Sequence, residues 1–228
     1  MVVAFDAVGP GSGGGGTVGS ATATSASWSH TCSGTSLVLI VGVAIGLSGF
    51  GSSTATYNGV SMTSLGAVNS NNMTAGYCQL FGLVNPASGA NTVAIATSPA
   101  GSISGGSMSF TGAGGVGTAV TAFGSSAAPT VAVTGTTSGN MVVDVVSNGS
   151  TIASSNQTIR WLLNNNDDSA AGHGAGSTAA AGGSVTMSYV VTSDWWGMVA
   201  VEVLAAVSAV APPDPPTNRA RLTRASCW

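Results

Sequence analysis

Short runs of apolar and β-branched residues alternate with turn-forming residues along almost the whole chain. The runs, among them Asn91–Thr97 (NTVAIAT) and Gly105–Thr111 (GGSMSFT), recur at intervals of roughly ten to fifteen residues. Turn dipeptides such as Asn58-Gly59, Ser138-Gly139 and Asn148-Gly149 separate them. Helical periodicity is nearly absent. The pattern therefore predicts an all-β fold, a β-sandwich or jelly roll formed by one domain.

Two of these runs show which side chains share a face of the sheet. In the run over residues 37–46, one face carries the larger side chains Leu37, Leu39, Val41, Val43 and Ile45. The opposite face is apolar as well, so we expect a central strand that is covered on both sides. In the run over residues 197–204, the side chains of Val199, Val201 and Val203 point away from those of Met198, Ala200, Glu202 and Leu204.

The pattern ends after residue 204, which divides the chain into a β-sandwich domain over residues 1–204 and an arm over residues 205–228. Pro212, Pro213, Pro215 and Pro216 favour an extended polyproline geometry, because proline lacks the N–H needed for a helix or a sheet ladder. The arm is therefore predicted to project from the domain in a semi-rigid form.

The low charge content is the feature of the composition that most restricts the possible partners of this protein. Charged residues make up 5% of the chain, where a typical soluble domain has about 25%. Arg160 is the one base before residue 212, against six acids, whereas three arginines and Asp214 follow. Such a chain lacks the basic face that nucleic acid needs, so no nucleic-acid partner is expected. Charge repulsion cannot keep copies apart, so the composition favours a homo-oligomer or a subunit held in a larger assembly.

The cysteines and the start of the chain give little further information about fold or function. Cys32, Cys78 and Cys227 are too few for a disulfide framework or a zinc site, and a Cys32–Cys78 bridge stays open. The opening MVVAFDAVGPG lacks the basic region and cleavage pattern of a secretory signal, which predicts synthesis in a cytoplasm. The apolar run over residues 37–46 is about half the length of a membrane-spanning helix, so no membrane insertion is expected.

Candidate catalytic groups are sparse. The segment Gly9–Gly16 is glycine-rich, but it lacks the lysine and the following helix of a phosphate-binding loop. His30 and His173 do not lie in a nucleophile-elbow context. Asp167 and Asp168 are sequence neighbours and would point apart, unlike the paired carboxylates of a glycosidase. The sequence predicts no enzyme activity, no catalytic residue and no cofactor.

The loop over residues 164–173 (NNNDDSAAGH) has the densest set of polar side chains. Its oxygens could hold Ca²⁺, which takes six to eight oxygen ligands. The loop lacks the alternating acidic spacing of known calcium loops. The expectation is therefore a solvated loop without a metal.

Aromatic residues are the best candidates for a binding surface. Trp195 and Trp196 are consecutive, so on a strand one points inward and the other outward. The candidate contacts for a glycan or a partner protein are Tyr57, Trp161, Trp195 and Trp196. Trp28 could contribute a further ring to the same stacking surface. The alternative, which we favour, is that Trp161 and one of the consecutive pair fill the core, because few other side chains are large.

Seven segments in a fixed order carry a resemblance to a known family. They are Ser27–Gly46, Ala55–Gly66, Leu80–Thr97, Gly106–Ala113, Asn140–Ser147, Gln157–Trp161 and Ser184–Val203. This series resembles the jelly-roll-like β-sandwich modules of bacterial extracellular proteins. It is similar above all to minor tail proteins of actinobacterial (mycobacterial) phages. The resemblance covers residues 2–204 and implies an all-β fold, and it brings no catalytic signature.

The resemblance implies a phage virion structural protein, a minor tail component exposed on a particle that is assembled in the host cytoplasm. The expected partners are other virion subunits, with a host cell-envelope glycan as a further one. Two alternatives stay open: a capsid decoration protein on the head, and a carbohydrate-binding module. The arm lies outside the resemblance. We expect it to anchor the protein to a neighbouring virion subunit through Arg219, Arg221, Leu222, Arg224 and Trp228.

Overall fold

The computed structural model describes residues 1–10, 14–15, 17–18, 23–46, 51–70, 76–164 and 173–207. Every regular element within them is a β-strand, which confirms the all-β prediction. The strands are β1 (Ala4–Gly9), β2 (Gly14–Gly15), β3 (Thr17–Val18), β4 (Ala23–Cys32), β5 (Val38–Gly46), β6 (Ser52–Tyr57), β7 (Val60–Ser61), β8 (Thr63–Asn69), β9 (Tyr77–Val84), β10 (Gly89–Thr111), β11 (Ala113–Val116), β12 (Val120–Ser126), β13 (Thr130–Thr136), β14 (Met141–Asn148), β15 (Ile152–Ser155), β16 (Thr158–Leu163), β17 (His173–Ala180), β18 (Gly183–Val191) and β19 (Asp194–Ala205).

These strands form three sheets in the part of the chain that the structure describes. A nine-stranded sheet has the order β7-β6-β10-β5-β9-β8, with β1, β3 and β4 also paired to β10. A seven-stranded sheet has the order β11-β19-β14-β17-β16-β2, with β12 also paired to β19. A three-stranded sheet has the order β13-β18-β15. The ladders are antiparallel apart from the short pair of β2 with β16.

Strand β10 joins two predicted strands into one of 23 residues. Its first part pairs with β4 and β6, and its second part, from Ser102 to Phe110, pairs with β5. The register with β4 shifts between Ala96 and Gly101, so the strand changes partners there without losing its extended backbone. Local pattern indicated a break at this position. The long-range partners on both sides of the change keep the chain in strand geometry.

The two parts of the nine-stranded sheet pack against each other across a first hydrophobic core. One part contributes Trp28, Tyr57 and Ile95, and the other contributes residues such as Leu39 and Phe81. All five side chains predicted to share a face of the 37–46 run lie in this core.

A second core lies between the other face of β5 and the seven-stranded sheet. It contains Ile40 of β5 together with Val199, Val201 and Val203 of β19. Strand β5 is thus buried along its whole length, as predicted for a central strand covered on both sides.

A third core lies between the seven-stranded and three-stranded sheets, and it contains Met198 and Ala200 of β19 against Met187 and Tyr189 of β18. Within the described ranges the β-sandwich therefore has four layers and three cores. Strand β19 sends alternate residues into two of those cores, as its alternation predicted.

The packing around Trp161 shows how closely neighbouring strands approach its side chain. Its side chain is fully buried in the second core. A Cβ atom added to Gly106 or Gly176 would overlap its indole ring. Glycine is therefore required at both positions by close packing.

Two further predictions concern cysteines and membranes. Cys32 and Cys78 are free thiols, and they lie in the first and second core respectively, so no bridge joins them. Burial raises the pKa of both thiols. Among the described residues, no helix has the length and apolar character needed to cross a membrane.

Candidate functional site

The structure separates the four aromatic residues that were candidate contacts for a glycan or a partner protein, and it places Trp161 and Trp196 in cores, as the favoured alternative predicted. Tyr57 and Trp161 are fully buried, in the first and second core. Trp196 lies in the third core and donates a hydrogen bond from Nε1 to Ser126 Oγ at 3.0 Å. Trp195 alone of the four is well exposed, at 46%. A platform shared by all four is not formed, because each core takes up one of these large rings.

Trp195 has an exposed aromatic neighbour that the sequence analysis did not single out. Phe123 on β12 is 47% exposed. It pairs with Gly197, and Ser125 pairs with Trp195, so the side chains of Phe123 and Trp195 lie on the same face. Gly124 lies against the indole of Trp196, which places Phe123 on the opposite side from the third core. We call Phe123 and Trp195 the aromatic patch.

The surroundings of the aromatic patch are almost uncharged, and strand β8 packs beside it on the same face. Gly197 has no side chain, and a Cβ there would lie 3.2 Å from Val68 Cγ1 on β8. Thr121 and Ser125 are exposed on either side of Phe123 along β12. Asp194 precedes Trp195, so its side chain points to the opposite face, and its carboxylate accepts hydrogen bonds from Ser150 Oγ and from the backbone N–H of Trp195. The patch offers ring faces and hydroxyl groups to a ligand.

A serine and a histidine meet in the interior, at a place that the sequence did not indicate. His30 Nδ1 lies 2.8 Å from Ser107 Oγ, which also accepts a hydrogen bond from Trp28 Nε1 at 2.9 Å. Both side chains are enclosed, with His30 1% and Ser107 0% exposed. Burial lowers the pKa of His30 to about 4, although the carboxylate of Asp6 opposes the change. The pair therefore links β4 to β10 and does not face solvent.

Asp144 is an enclosed carboxyl group. Its Oδ1 accepts hydrogen bonds from the N–H of Ser177 at 2.9 Å, from Ser177 Oγ at 2.6 Å and from Tyr189 Oη at 2.9 Å. Gln157 Nε2 lies 3.4 Å from Oδ2. Burial raises the pKa of Asp144 to about 7, and these hydrogen bonds limit the rise. A single acid within the apolar run NMVVDVVS was the signal in the sequence.

The remaining predicted sites lie partly or wholly outside the described residues. No group of three or more histidine, cysteine, aspartate or glutamate side chains in the described ranges could hold a metal ion. Asn164, at the start of the polar loop, bonds the backbone of Ile152 and contacts His173 Nδ1. Asp167 and Asp168 lie outside the described residues. So do the five arm residues named above as an anchor.

No protein-family model, no curated protein and no solved structure matches this chain. The resemblance to phage minor tail proteins accordingly remains a hypothesis that rests on the seven sequence segments. The aromatic patch stands independently of it, because it rests on strand register and exposure alone.

Proposed function

We propose that this chain is a structural protein of a phage virion, a tail component whose aromatic patch contacts a glycan of the host cell envelope. The observation that carries the proposal is the pair of half-exposed rings, Phe123 and Trp195, on the same nearly uncharged face of a β scaffold.

The interior supports a structural role. Two enclosed side chains, His30 and Asp144, are engaged in hydrogen bonds that join different strands. Asp144 and Ser177 are directly paired on β14 and β17, so their hydrogen bonds help to fix that register. The His30–Ser107 contact links β4 to the second part of β10. Stacking four layers around three apolar cores produces a stiff body in which surface groups hold their positions.

The chemistry of the patch supports a glycan as its ligand. Sugar rings present apolar C–H faces that pack on aromatic rings, and their hydroxyls need hydrogen-bonding partners. Thr121 and Ser125 provide hydroxyl groups on the same face as the two rings. Low charge also suits a neutral polysaccharide better than a phosphate-rich ligand.

The virion assignment is tested on particles. Purified phage carrying an epitope tag on this chain would be examined by mass spectrometry and by immunogold electron microscopy. We expect label on the tail. Label on the capsid would replace the tail assignment by the capsid decoration alternative, and absence from purified particles would overturn the virion role.

The glycan assignment has a separate test. Full-length protein would be sedimented with insoluble cell-wall polysaccharide from an actinobacterial host. Phe123→Ala and Trp195→Ala should each reduce the bound fraction about tenfold. Val190→Ala is the matched control, because Val190 is exposed but lies on β18 in a different sheet. Equal binding by all four proteins would overturn the assignment.

A further inference from the structure

We infer that β12 is a self-pairing edge through which two copies of this chain join antiparallel, with Phe123 at the two-fold axis. The seven-stranded sheet would then continue from one copy into the other. This edge would be the interface of the homo-oligomer that low charge favours. Such pairing requires neither a place in a virion nor a bound glycan.

Hydrogen bonds around β19 determine which groups of β12 point outward. Trp195 O accepts from Gly149 N, just beyond the end of β14, at 3.0 Å. Glu202 O accepts from Gly117 N, on the opposite side of β19, at 2.8 Å. Odd-numbered residues of β19 therefore direct their backbone groups toward β14, and even-numbered ones direct them toward β11 and β12.

The same alternation of backbone directions applies to β12, because β12 pairs with β19 in a continuous ladder. Even-numbered residues of β12 pair with even-numbered residues of β19, without a register shift over the whole of β12. The backbone groups of Val120, Ala122, Gly124 and Ser126 thus face β19. Those of Thr121, Phe123 and Ser125 point away from the sheet, at an edge where no other described strand pairs.

Strand β12 also lacks the features that usually prevent edge pairing. Edge strands are commonly protected by charges, by proline or by bulges. The sequence VTAFGSS of β12 has no charge and no proline. The edge strands β8, β11, β13 and β15 each contain a register shift. Among the described strands β4 pairs with β10 alone, and its exposed residues are serines and threonines rather than aromatic residues.

A second copy fits this edge better than an unrelated strand, because the edge is complementary to itself. Phe123 is the central residue of β12. An antiparallel pair centred there sets Phe123 opposite Phe123 of the second copy and Thr121 opposite Ser125. All of these residues point their backbone groups outward, so the pairing forms about six N–H···O bonds.

The side chains agree with this register. Directly opposite Cα atoms in such a pair lie about 5.5 Å apart, so the two Phe123 rings become neighbours on one face. In each copy Trp195, which is paired with Ser125, adds a second ring on the same face, diagonal to Phe123. The hydroxyls of Thr121 and Ser125 meet each other, and no charge on β12 repels the second copy. In this register, aromatic side chains of the two copies are neighbours, and so are their hydroxyl groups.

The experiment places a positive or a negative charge at position 123, on the two-fold axis. Sedimentation velocity on the full chain should show a dimer for the wild type. Phe123→Lys and Phe123→Glu should each be monomeric, because like charges would face each other across the axis. An equimolar mixture of the two variants should regain the dimer, since opposite charges then meet. Val190→Lys is the matched control for an added surface charge and should remain dimeric.

Proline substitution tests the backbone part of the interface. Ser125→Pro removes an N–H that points outward, so it should abolish the dimer while the circular dichroism spectrum stays unchanged. Ala122→Pro removes an N–H that faces β19, so it should destabilise the fold. A wild-type monomer at high concentration would overturn the inference. So would a dimer that survives both Phe123→Lys and Ser125→Pro, or a mixture that stays monomeric.

Discussion

Replacing Asp144 by asparagine should change how stability depends on pH. Burial raises the pKa of this carboxyl from 3.8 to about 7 in the folded protein. Between pH 3.8 and about pH 7, the Asp144 carboxyl therefore holds a proton in the folded state that it has released in the unfolded state. The stability that this group contributes is therefore fully present below pH 3.8 and is lost as the pH rises through 7.

The magnitude follows from the size of that shift. A change of about three pKa units corresponds to about 4 kcal/mol of unfolding free energy, lost as the pH rises across the window. Asparagine does not ionise, and its Oδ1 can still accept from Ser177 and Tyr189. The stability of Asp144→Asn relative to wild type should therefore improve by about 3–4 kcal/mol from pH 4 to above pH 7.

His30 acts in the opposite direction. Burial lowers its pKa from 6.5 to about 4, so the unfolded state takes up a proton first as the pH falls. Stability from His30 is therefore present above pH 6.5 and is lost toward pH 4, by about 3 kcal/mol. Burial lowers the pKa of His173 as well, with the same sign. In the wild type these effects largely cancel that of Asp144 between pH 4 and 6.5.

Urea unfolding at several pH values between about 4 and 8 measures these opposing effects. The wild type should show a shallow pH dependence. Asp144→Asn should become more stable as the pH rises, and His30→Asn should become less stable. If the difference between Asp144→Asn and wild type were the same at every pH, Asp144 would not hold its proton above its ordinary range, and the reasoning would be wrong.

Two other changes probe the packing. Gly106→Ala should lower stability by about 2 kcal/mol or more, because its methyl group would overlap Trp161, whereas Gly182→Ala, with open space around it, should have little effect. Thermal unfolding of the two variants measures this contrast, and equal melting temperatures would contradict it. Trp28→Phe keeps an aromatic ring in the first core but removes the donor to Ser107. It should cost about 1 kcal/mol in urea unfolding, and no loss would show that this bond is not stabilising.

Strand alternation let the sequence determine much of the fold. Side chains on a strand alternate between two sides, so the order of Leu37, Leu39 and Val41 fixed which residues share a face. The same rule separated Val199 and Val201 from their neighbours on β19. An apolar opposite face on the 37–46 run was enough to predict a strand covered on both sides, which the structure confirms.

Tertiary structure alone decided what covers each face. Alternation showed that Trp195 and Trp196 point to opposite sides, but the third core determined which one is buried. Phe123 gave the same local signal as a core phenylalanine and is exposed because β12 lies at an edge. Asp144 is enclosed by Tyr189 and Ser177, which are distant in sequence. Alternation within a strand is a local property of the backbone, whereas burial depends on which distant strands pack against it.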